Sequence, residues 1–392
     1  MARPVVERVI RALDHDFGAP FAIGGGAVVA LAWTAVSEGS YRHVMDVPWT
    51  RSLDAFSVNS LHTFAASGLM TLFFFAVGIE LSRELNTGTL MKPRHSLPPL
   101  IGALGGMAAT ALLSILVGAV SHTPALVHGW GIPMATDIAF TLGVLALVGD
   151  GIPVALRLFL LTLAVADDVL SIAALSITGA AHLRVAGLIV FVIAVLAIAV
   201  LSRRITSITW RLTVLAILWL CLAWANVEPP LAGVIAALLV PFERKSALTL
   251  ERQMNRISVG IVLPLFALVS CGVSWSNLAW RGSTLTIIGA TVAVRVVGKT
   301  LGITGGVALV GLFGLRRHST ITWPLLITAS LLCAIGFTVP LLFTSALYKS
   351  SSTPYSAFTV GLLIASVIAG IVGVLLLKRL TRRPGNRHQE AP

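Results

Sequence analysis

Apolar residues recur along this chain in runs long enough to cross a lipid bilayer, separated by short polar or charged segments. A helix needs about 20 residues to cross the hydrocarbon layer, and in lipid the backbone must satisfy its own hydrogen bonds, so each run is predicted to be a helix. The pattern therefore predicts an all-α membrane protein with about twelve transmembrane helices. The predicted spans are 19–37, 61–82, 97–119, 126–148, 153–177, 183–202, 206–226, 229–241, 256–275, 284–312, 323–348 and 356–378.

Composition and charge agree with that interpretation. The chain is 56% hydrophobic and only 11% charged, which is outside the range of soluble domains. With the N-terminus inside, 20 of the 28 lysines and arginines fall in cytoplasmic segments, so the net charge of +12 reflects the orientation of the helices. Both termini are predicted to be cytoplasmic. Membrane lipid is an expected partner and nucleic acid is not.

The chain divides into three predicted parts. Residues 1–18 carry apolar positions at helical spacing among charged ones, which predicts a short helix on the cytoplasmic membrane surface. Residues 19–378 form the transmembrane domain. Residues 379–392 form a cytoplasmic tail that is mostly polar.

Two of the predicted helices contain a proline with nearby glycines, in Gly129–Asp137 and in Gly336–Pro340. Such a sequence interrupts a helix and frees backbone groups, which need a polar cavity or closely packed neighbours. Each interrupted helix is the middle one of a triplet of spans, 97–177 and 284–378, and the two triplets have opposite orientations. The pattern predicts inverted-topology repeats whose interrupted helices cross mid-membrane, while simple kinks in packed helices are the alternative.

Ionisable residues inside the spans mark a candidate ion pathway, because a charge near the bilayer centre costs about 2.5–3.5 kcal/mol on insertion scales. Five lie deep in the predicted spans: Asp137, Asp167, Asp168, Arg295 and Lys299. The adjacent carboxylates Asp167 and Asp168 can border one cavity, and their repulsion raises the affinity of one of them for a proton. A site that accepts either a proton or an oxygen-seeking cation is suited to exchange. Neutralisation by basic residues for packing alone is the alternative.

The other three residues allow more than one interpretation. Asp137 either offsets a positive helix end or, with Thr136, completes a cation site. Lys299 has to be paired or neutral when buried, and either state gives it a proton to exchange. Arg295 lies one turn before Lys299 on the same face, and it either acts in transport or reaches a carbonyl or the outer interface.

A further charged group lies at the predicted cytoplasmic end of the second span. Glu80, Arg83 and Glu84 are spaced so that an ion pair can form between positions three residues apart. They form either a solvated ion pair or a cytoplasmic mouth that collects cations.

These residues lie in segments that resemble the NhaA-type bacterial sodium/proton antiporters. The resemblance runs from about Gly68 to Leu347 and is densest in Gly68–Leu90, Gly129–Val148 and Val154–Asp168. Shorter matching segments are Leu231–Val234, Pro264–Ala267, Gly298–Gly302 and Gly336–Thr338.

The resemblance implies a transporter rather than an enzyme, with no cofactor. Sodium or lithium ions would be exported and protons imported, electrogenically and by alternating access. Asp168, with Asp167, would bind the transported sodium, and Asp167 would also pair with Lys299 and help to carry protons. The crossing of the interrupted helices would be lined by Thr136, Asp137 and Gly336.

The resemblance also implies a cellular setting and an assembly. The protein would lie in the bacterial inner membrane and support pH and sodium homeostasis. Family members dimerise through the outer loop between the first two spans, here residues 37–60. The chain departs from the family pattern at Arg295, which replaces an apolar residue, and at Glu228, Arg252 and Asn255, which replace histidines of the best-known members.

Two rival functions use similar residues. An intramembrane aspartyl protease needs two aspartates on different helices, so an adjacent pair argues against it. A sodium-coupled organic-solute symporter of related architecture is the closer alternative, and a pair formed with Lys299 would favour proton exchange instead.

Overall fold

The computed structural model describes residues 18–49, 58–87, 93–148, 152–178, 183–202, 207–240, 244–276, 278, 280–313 and 320–381. Within these ranges every regular element is a helix, as predicted. The predicted surface helix in residues 1–18 lies outside the described residues except for its last position, and so does the tail after Thr381.

Seventeen α-helices follow one another along the described residues. They are α1 (Gly18–Asp46), α2 (Leu61–Phe64), α3 (Met70–Thr87), α4 (Pro93–Val120), α5 (Pro124–His128), α6 (Ile138–Val148), α7 (Val154–Thr178), α8 (Val185–Leu201), α9 (Ile208–Ala225), α10 (Leu231–Leu239), α11 (Arg244–Ile257), α12 (Leu263–Ser270), α13 (Ser283–Ala293), α14 (Lys299–Leu312), α15 (Trp323–Leu332), α16 (Thr338–Leu347) and α17 (Thr353–Thr381). Wider π-helical turns join α2 to α3, α11 to α12 and α13 to α14.

Each of the twelve predicted spans contains helix. In the described part of the chain, seven helices have the length and composition needed to cross a membrane. They are Pro20–Asp46, Leu61–Arg83, Ser96–Val120, Val154–Ser176, Thr249–Ser270, Ser283–Leu312 and Thr353–Thr381. Four shorter apolar helices are Val185–Leu201, Thr209–Ala225, Trp323–Leu332 and Thr338–Leu347. The chain is therefore an all-helical protein with membrane-spanning helices.

The first helix is longer than the sequence predicts. It bends at Ser37, where the backbone leaves the helical region, and then continues to Asp46. The predicted outer loop 37–60 therefore begins as helix, and residues 50–57 of it lie outside the described part. Long-range contacts hold the extension, because the Tyr41 hydroxyl donates to the carbonyls of Leu268 and Val269 at 2.8 and 2.7 Å.

The ninth span also differs from its predicted bounds of 256–275. Helix begins at Arg244, passes through the π-helical turn Ser258–Val262 and ends at Ser270. Apolar runs do not indicate this start, because α11 contains many polar residues. A helix with one polar face and one apolar face is nevertheless stable when its apolar face packs against the protein.

The chain forms two compact units. The first comprises residues 1–91, 168–285 and 341–359. Its described part has an apolar core in which α3, α9 and α10 meet. The core includes Phe75, Ile79, Val214, Leu218, Leu222 and Ala236.

The second unit comprises residues 92–167, 286–340 and 360–392. Its apolar core includes Leu145, Leu156, Leu163, Ile303, Leu326 and Leu332. Helices α4 and α14 approach so closely that a Cβ on either Gly105 or Gly302 would overlap the carbonyl oxygen of the other. Small residues allow this contact, as in other membrane helix pairs. The close approach fixes the helix that begins with Lys299.

Candidate ion site

Both predicted interruptions are present, and both lie in the second unit. Helix α5 ends at His128 and α6 begins at Ile138, and residues 135–137 between them are irregular. Helix α15 ends at Leu332 and α16 begins at Thr338, with residues 335–337 irregular. Irregular backbone inside a membrane-spanning segment has to find hydrogen-bond partners within the protein.

The two irregular segments provide hydrogen-bond partners for each other. The backbone N–H of Asp137 donates to the carbonyl of Ile335 at 2.9 Å. The hydroxyl of Thr136 donates to the carbonyl of Cys333 at 2.8 Å. These bonds place the two interruptions side by side.

Asp137 lies where two helices begin. One carboxylate oxygen accepts a hydrogen bond from the backbone N–H of Phe140 at 3.2 Å, and the other accepts one from Thr338 N–H at 3.3 Å. Negative charge at a helix N-terminus offsets the positive end of the helix dipole and satisfies free N–H groups. The geometry thus supports the interpretation of Asp137 as a residue that offsets positive helix ends, here those of α6 and α16.

Arg295 binds backbone carbonyl groups of the two interrupted segments, whereas Asp137 binds backbone N–H groups. Its Nε donates to the carbonyl of Ala334 at 3.0 Å, and its Nη2 donates to the carbonyl of Ala135 at 2.8 Å. The side chain is fully buried, and it extends from the π-helical turn Val294–Gly298. Wide turns of this kind are frequent at functional sites. Of the interpretations left open by the sequence, the bond to carbonyls is the one observed.

Asp167 and Lys299 form a fully buried ion pair. The Nζ of Lys299 lies 2.7 Å from Oδ1 and 2.8 Å from Oδ2 of Asp167, and neither side chain is exposed. The backbone N–H of Thr136 donates to Oδ2 of the same carboxylate at 2.7 Å. Buried charges persist only with this degree of pairing and hydrogen bonding. The pair is therefore fixed directly to the first interrupted segment.

Asp168 follows on α7 and is also buried, with 2% of its surface exposed. Consecutive helical residues point about 100° apart, so the two carboxylates face in different directions from the helix axis. The structure thus gives the adjacent aspartates different surroundings, with Asp167 bound to Lys299 and Thr136.

One polar residue of the crossing was missed by the sequence analysis. The hydroxyl of Ser366, on α17, accepts from Gly336 N–H at 3.2 Å and lies 3.2 Å from the Gly336 carbonyl. A serine in a long apolar helix gives only a weak signal, because such hydroxyls commonly bond within their own helix. Ser366 also does this, donating to the Leu362 carbonyl at 2.8 Å.

The predicted cytoplasmic group belongs to the first unit. Arg83 Nε lies 3.0 Å from a carboxylate oxygen of Glu251, so α3 is joined to α11 by a partly buried ion pair. Glu80 is partly buried, and the side chain of Glu84 lies outside the described part. The pair with Glu251 was not predicted, because it depends on a long-range contact rather than on helical spacing.

A charged site where two interrupted helices meet, inside an all-helical membrane protein, is the architecture of ion-coupled secondary transporters. Comparison with known families identifies the particular type. Residues 13–377 match the model of the family described as "Na+/H+ antiporter 1", and the chain belongs to this family.

Curated relatives cover nearly the whole chain. It is 32% identical over 404 residues to "Na(+)/H(+) antiporter NhaA" of Tolumonas auensis, which covers 98% of each chain. It is 36% identical over 380 residues to "Na(+)/H(+) antiporter NhaA 2" of Rhodococcus jostii, covering 93% of this chain and 91% of the relative. With "Na(+)/H(+) antiporter NhaA 1" of Salinispora tropica the identity is 37% over 363 residues, covering 88% and 83%.

Proposed function

We propose that this protein exchanges sodium or lithium ions for protons across the bacterial inner membrane, exporting the metal ion and importing protons. The observation that carries the proposal is the buried Asp167–Lys299 pair, which Thr136 fixes to the crossing of two interrupted helices. Buried ionisable groups of this kind mark ion pathways in membrane proteins. Membership of an antiporter family supports sodium and protons as the transported ions.

The ion site is assigned to the two aspartates and the lysine. Asp168 binds the transported sodium, and Asp167 contributes to binding of the same ion. Asp167 also pairs with Lys299 and helps to carry protons. Since protons and sodium compete for the same oxygen atoms, the site carries one or the other in each half of the cycle. Thr136, Asp137 and Gly336 keep the crossing in place. Glu80, Arg83 and Glu84 form the cytoplasmic entry, where the two carboxylates attract cations.

The proposal includes twelve transmembrane helices with inverted repeats over residues 97–177 and 284–378. Support comes from the second unit, which contains both interruptions and the hydrogen bonds between them. Alternating access then follows from movement around a fixed central site. The excess of basic residues in cytoplasmic segments supports an orientation with both termini inside.

The proposal has three further parts. Exchange is electrogenic, it supports pH and sodium homeostasis, and the protein forms a homodimer through residues 37–60. The dimer rests on the family resemblance. The helical continuation of α1 to Asp46 gives that region more regular structure than a loop. The relatives are named as antiporters, so a sodium-coupled organic-solute symporter is not favoured.

Acridine-orange fluorescence in everted membrane vesicles tests the function. An antiporter restores quenched fluorescence when sodium or lithium is added with no organic solute present, whereas a solute symporter does not respond. Asp168→Asn should abolish the response, while Asp46→Asn, the same change at an aspartate that is not part of the proposed ion site, should retain it. Near-normal exchange by Asp168→Asn in correctly inserted protein would refute the proposed site.

A further inference from the structure

Ser171 follows the aspartate pair on α7 and has no role in the site described above. Ser171 is completely buried. Among the described residues, its hydroxyl has no hydrogen-bond partner. A buried hydroxyl without a partner is unfavourable, because it has lost its bonds to water and gained none within the protein.

The ordinary solution for a hydroxyl in a membrane helix is a bond to the carbonyl four residues earlier. Ser176, on the same helix, does this and donates to the Ile172 carbonyl at 3.1 Å. Other buried hydroxyls of the chain do the same, among them Thr34, Thr71, Thr110, Thr291 and Ser330. The hydroxyl of Ser171, like those of Ser67 and Ser270, therefore keeps its bonding capacity, whereas Ser176 on the same helix has used its own.

The position of Ser171 relates it to the aspartates. It lies three residues after Asp168 and four after Asp167, and residues at these spacings share one face of a helix with Cβ atoms about 5–6 Å apart. At 100° per residue, Ser171 projects from the helix at an angle between the two aspartates, one turn further along. Its oxygen is thus on the side of α7 from which the carboxylates project.

We propose that the Ser171 hydroxyl is a further ligand of the sodium ion bound by Asp168, and that it sets the preference of the site for sodium over protons. This inference rests on the proposed antiport function. A hydroxyl oxygen has two lone pairs and no charge, so it adds a ligand of the kind that hard cations prefer without adding repulsion. A proton needs only the carboxylate, and the hydroxyl therefore favours sodium selectively.

Transport assays on Ser171→Ala test the inference, with Ser176→Ala as the matched control. The sodium half-saturation constant of Ser171→Ala should rise about tenfold, which corresponds to the loss of one charged hydrogen bond or ligand contact. The maximal rate at saturating sodium should stay close to that of wild type. Ser176→Ala should have the wild-type half-saturation constant, because its hydroxyl already bonds to a carbonyl.

A second measurement avoids transport altogether. Sodium that binds the folded protein raises its melting temperature, and at a given sodium concentration the rise is larger when the affinity is higher. The sodium-dependent rise should be smaller for purified Ser171→Ala than for wild type. Ser171→Cys, which keeps the side-chain volume but offers a soft sulfur, should show the same loss, and it replaces the alanine variant if that variant does not insert.

The outcomes separate this inference from the proposed function. A half-saturation constant and a sodium-dependent stabilisation equal to wild type in the Ser171 variants, together with inactive Asp168→Asn, would overturn the role of Ser171 alone. A wild-type protein that shows no sodium response, or an active Asp168→Asn, would overturn the antiport site and this inference with it.

Discussion

The guanidinium group of Arg295 occupies the space in which a side chain on Gly336 would lie. A Cβ built on Gly336 overlaps Nη2 of Arg295, and it would also lie 2.6 Å from the carbonyl oxygen of Ala135. The same Nη2 donates to that carbonyl, while Nε donates to the carbonyl of Ala334. A glycine in one interrupted helix therefore makes room for an arginine that binds both interrupted segments.

Gly336→Ala should disrupt the crossing. The new methyl group meets backbone as well as the arginine, so the segments must move apart, and overpacking of this kind costs about 1–3 kcal/mol. We expect a lower melting temperature and a large loss of sodium-dependent exchange. Gly289→Ala on α13 is the matched control, because its Cβ would have no neighbour within 4 Å. Equal stability and activity in the two variants would contradict the observed approach.

Arg295→Leu should destabilise the protein because two buried carbonyls lose a charged donor, at about 1–3 kcal/mol for each buried group left without its bond. Arg295→Lys should recover only part of the loss, since an ammonium group lacks the planar fork that reaches two carbonyls. Melting temperature in detergent measures this effect. Arg157→Leu, a change at an exposed arginine of α7, is the control. A melting temperature of Arg295→Leu equal to that control would show that the two bonds contribute nothing.

The sequence predicted the parts of the site that depend on residue type and on position within a span. Asp167, Lys299 and the two interruptions could be found because charge, proline and glycine are rare inside membrane helices. The bond between Asp167 and Lys299 is confirmed, and Arg295 was recognised as a departure from the family pattern.

The sequence could not predict contacts between residues that are far apart in the chain. Arg295 could have reached several carbonyls, and only the fold shows that it reaches Ala135 and Ala334 in different segments. The bonds of Ser366 to Gly336 and of Arg83 to Glu251 were missed for the same reason. Polar helical segments such as the end of α1 were missed because an apolar run marks only the part of a helix that lies in the membrane, and a helix can continue beyond it.

Lys299→Ala should strongly destabilise the protein while Asp167 remains charged. Removing one partner of a buried ion pair typically costs about 3–5 kcal/mol, because the other charge stays buried without compensation. Adding Asp167→Asn to Lys299→Ala should therefore recover part of the lost melting temperature, although exchange stays abnormal. Additive effects of the two substitutions would show that the residues are not energetically coupled.

Glu228, in the loop between α9 and α10, should make stability depend on pH. Burial raises its pKa from 4.5 to about 7, so the folded protein binds a proton more tightly than the unfolded chain does. The resulting stabilisation is complete below pH 4.5 and is lost as pH rises through about 7. Glu228→Gln should flatten the profile of melting temperature against pH across this window. Parallel profiles for wild type and Glu228→Gln would contradict the raised pKa.

The pH dependence of transport should come mainly from competition between protons and sodium. By the family resemblance, Arg252 and Asn255 replace histidines, which are the side chains whose charge changes most readily between about pH 5 and 8. The sodium half-saturation constant should therefore rise smoothly as pH falls from about 9 to 6 (a range around the histidine pKa), while the maximal rate changes little. Arg295→Leu should move the midpoint to higher pH, because removing a positive charge favours protons at the neighbouring carboxylate.

Initial rates across a grid of sodium concentrations and pH values decide between competition and a separate switch. A steep rise in maximal rate within about one pH unit, at constant half-saturation, would contradict competition and require a titrating group outside the site. Glu228, with a pKa of about 7, is then the residue to test. If the step disappears in Glu228→Gln, the loop between α9 and α10 controls turnover. If the step persists, the switch lies elsewhere, and neither Glu228 nor competition at Asp167 and Asp168 sets the pH response.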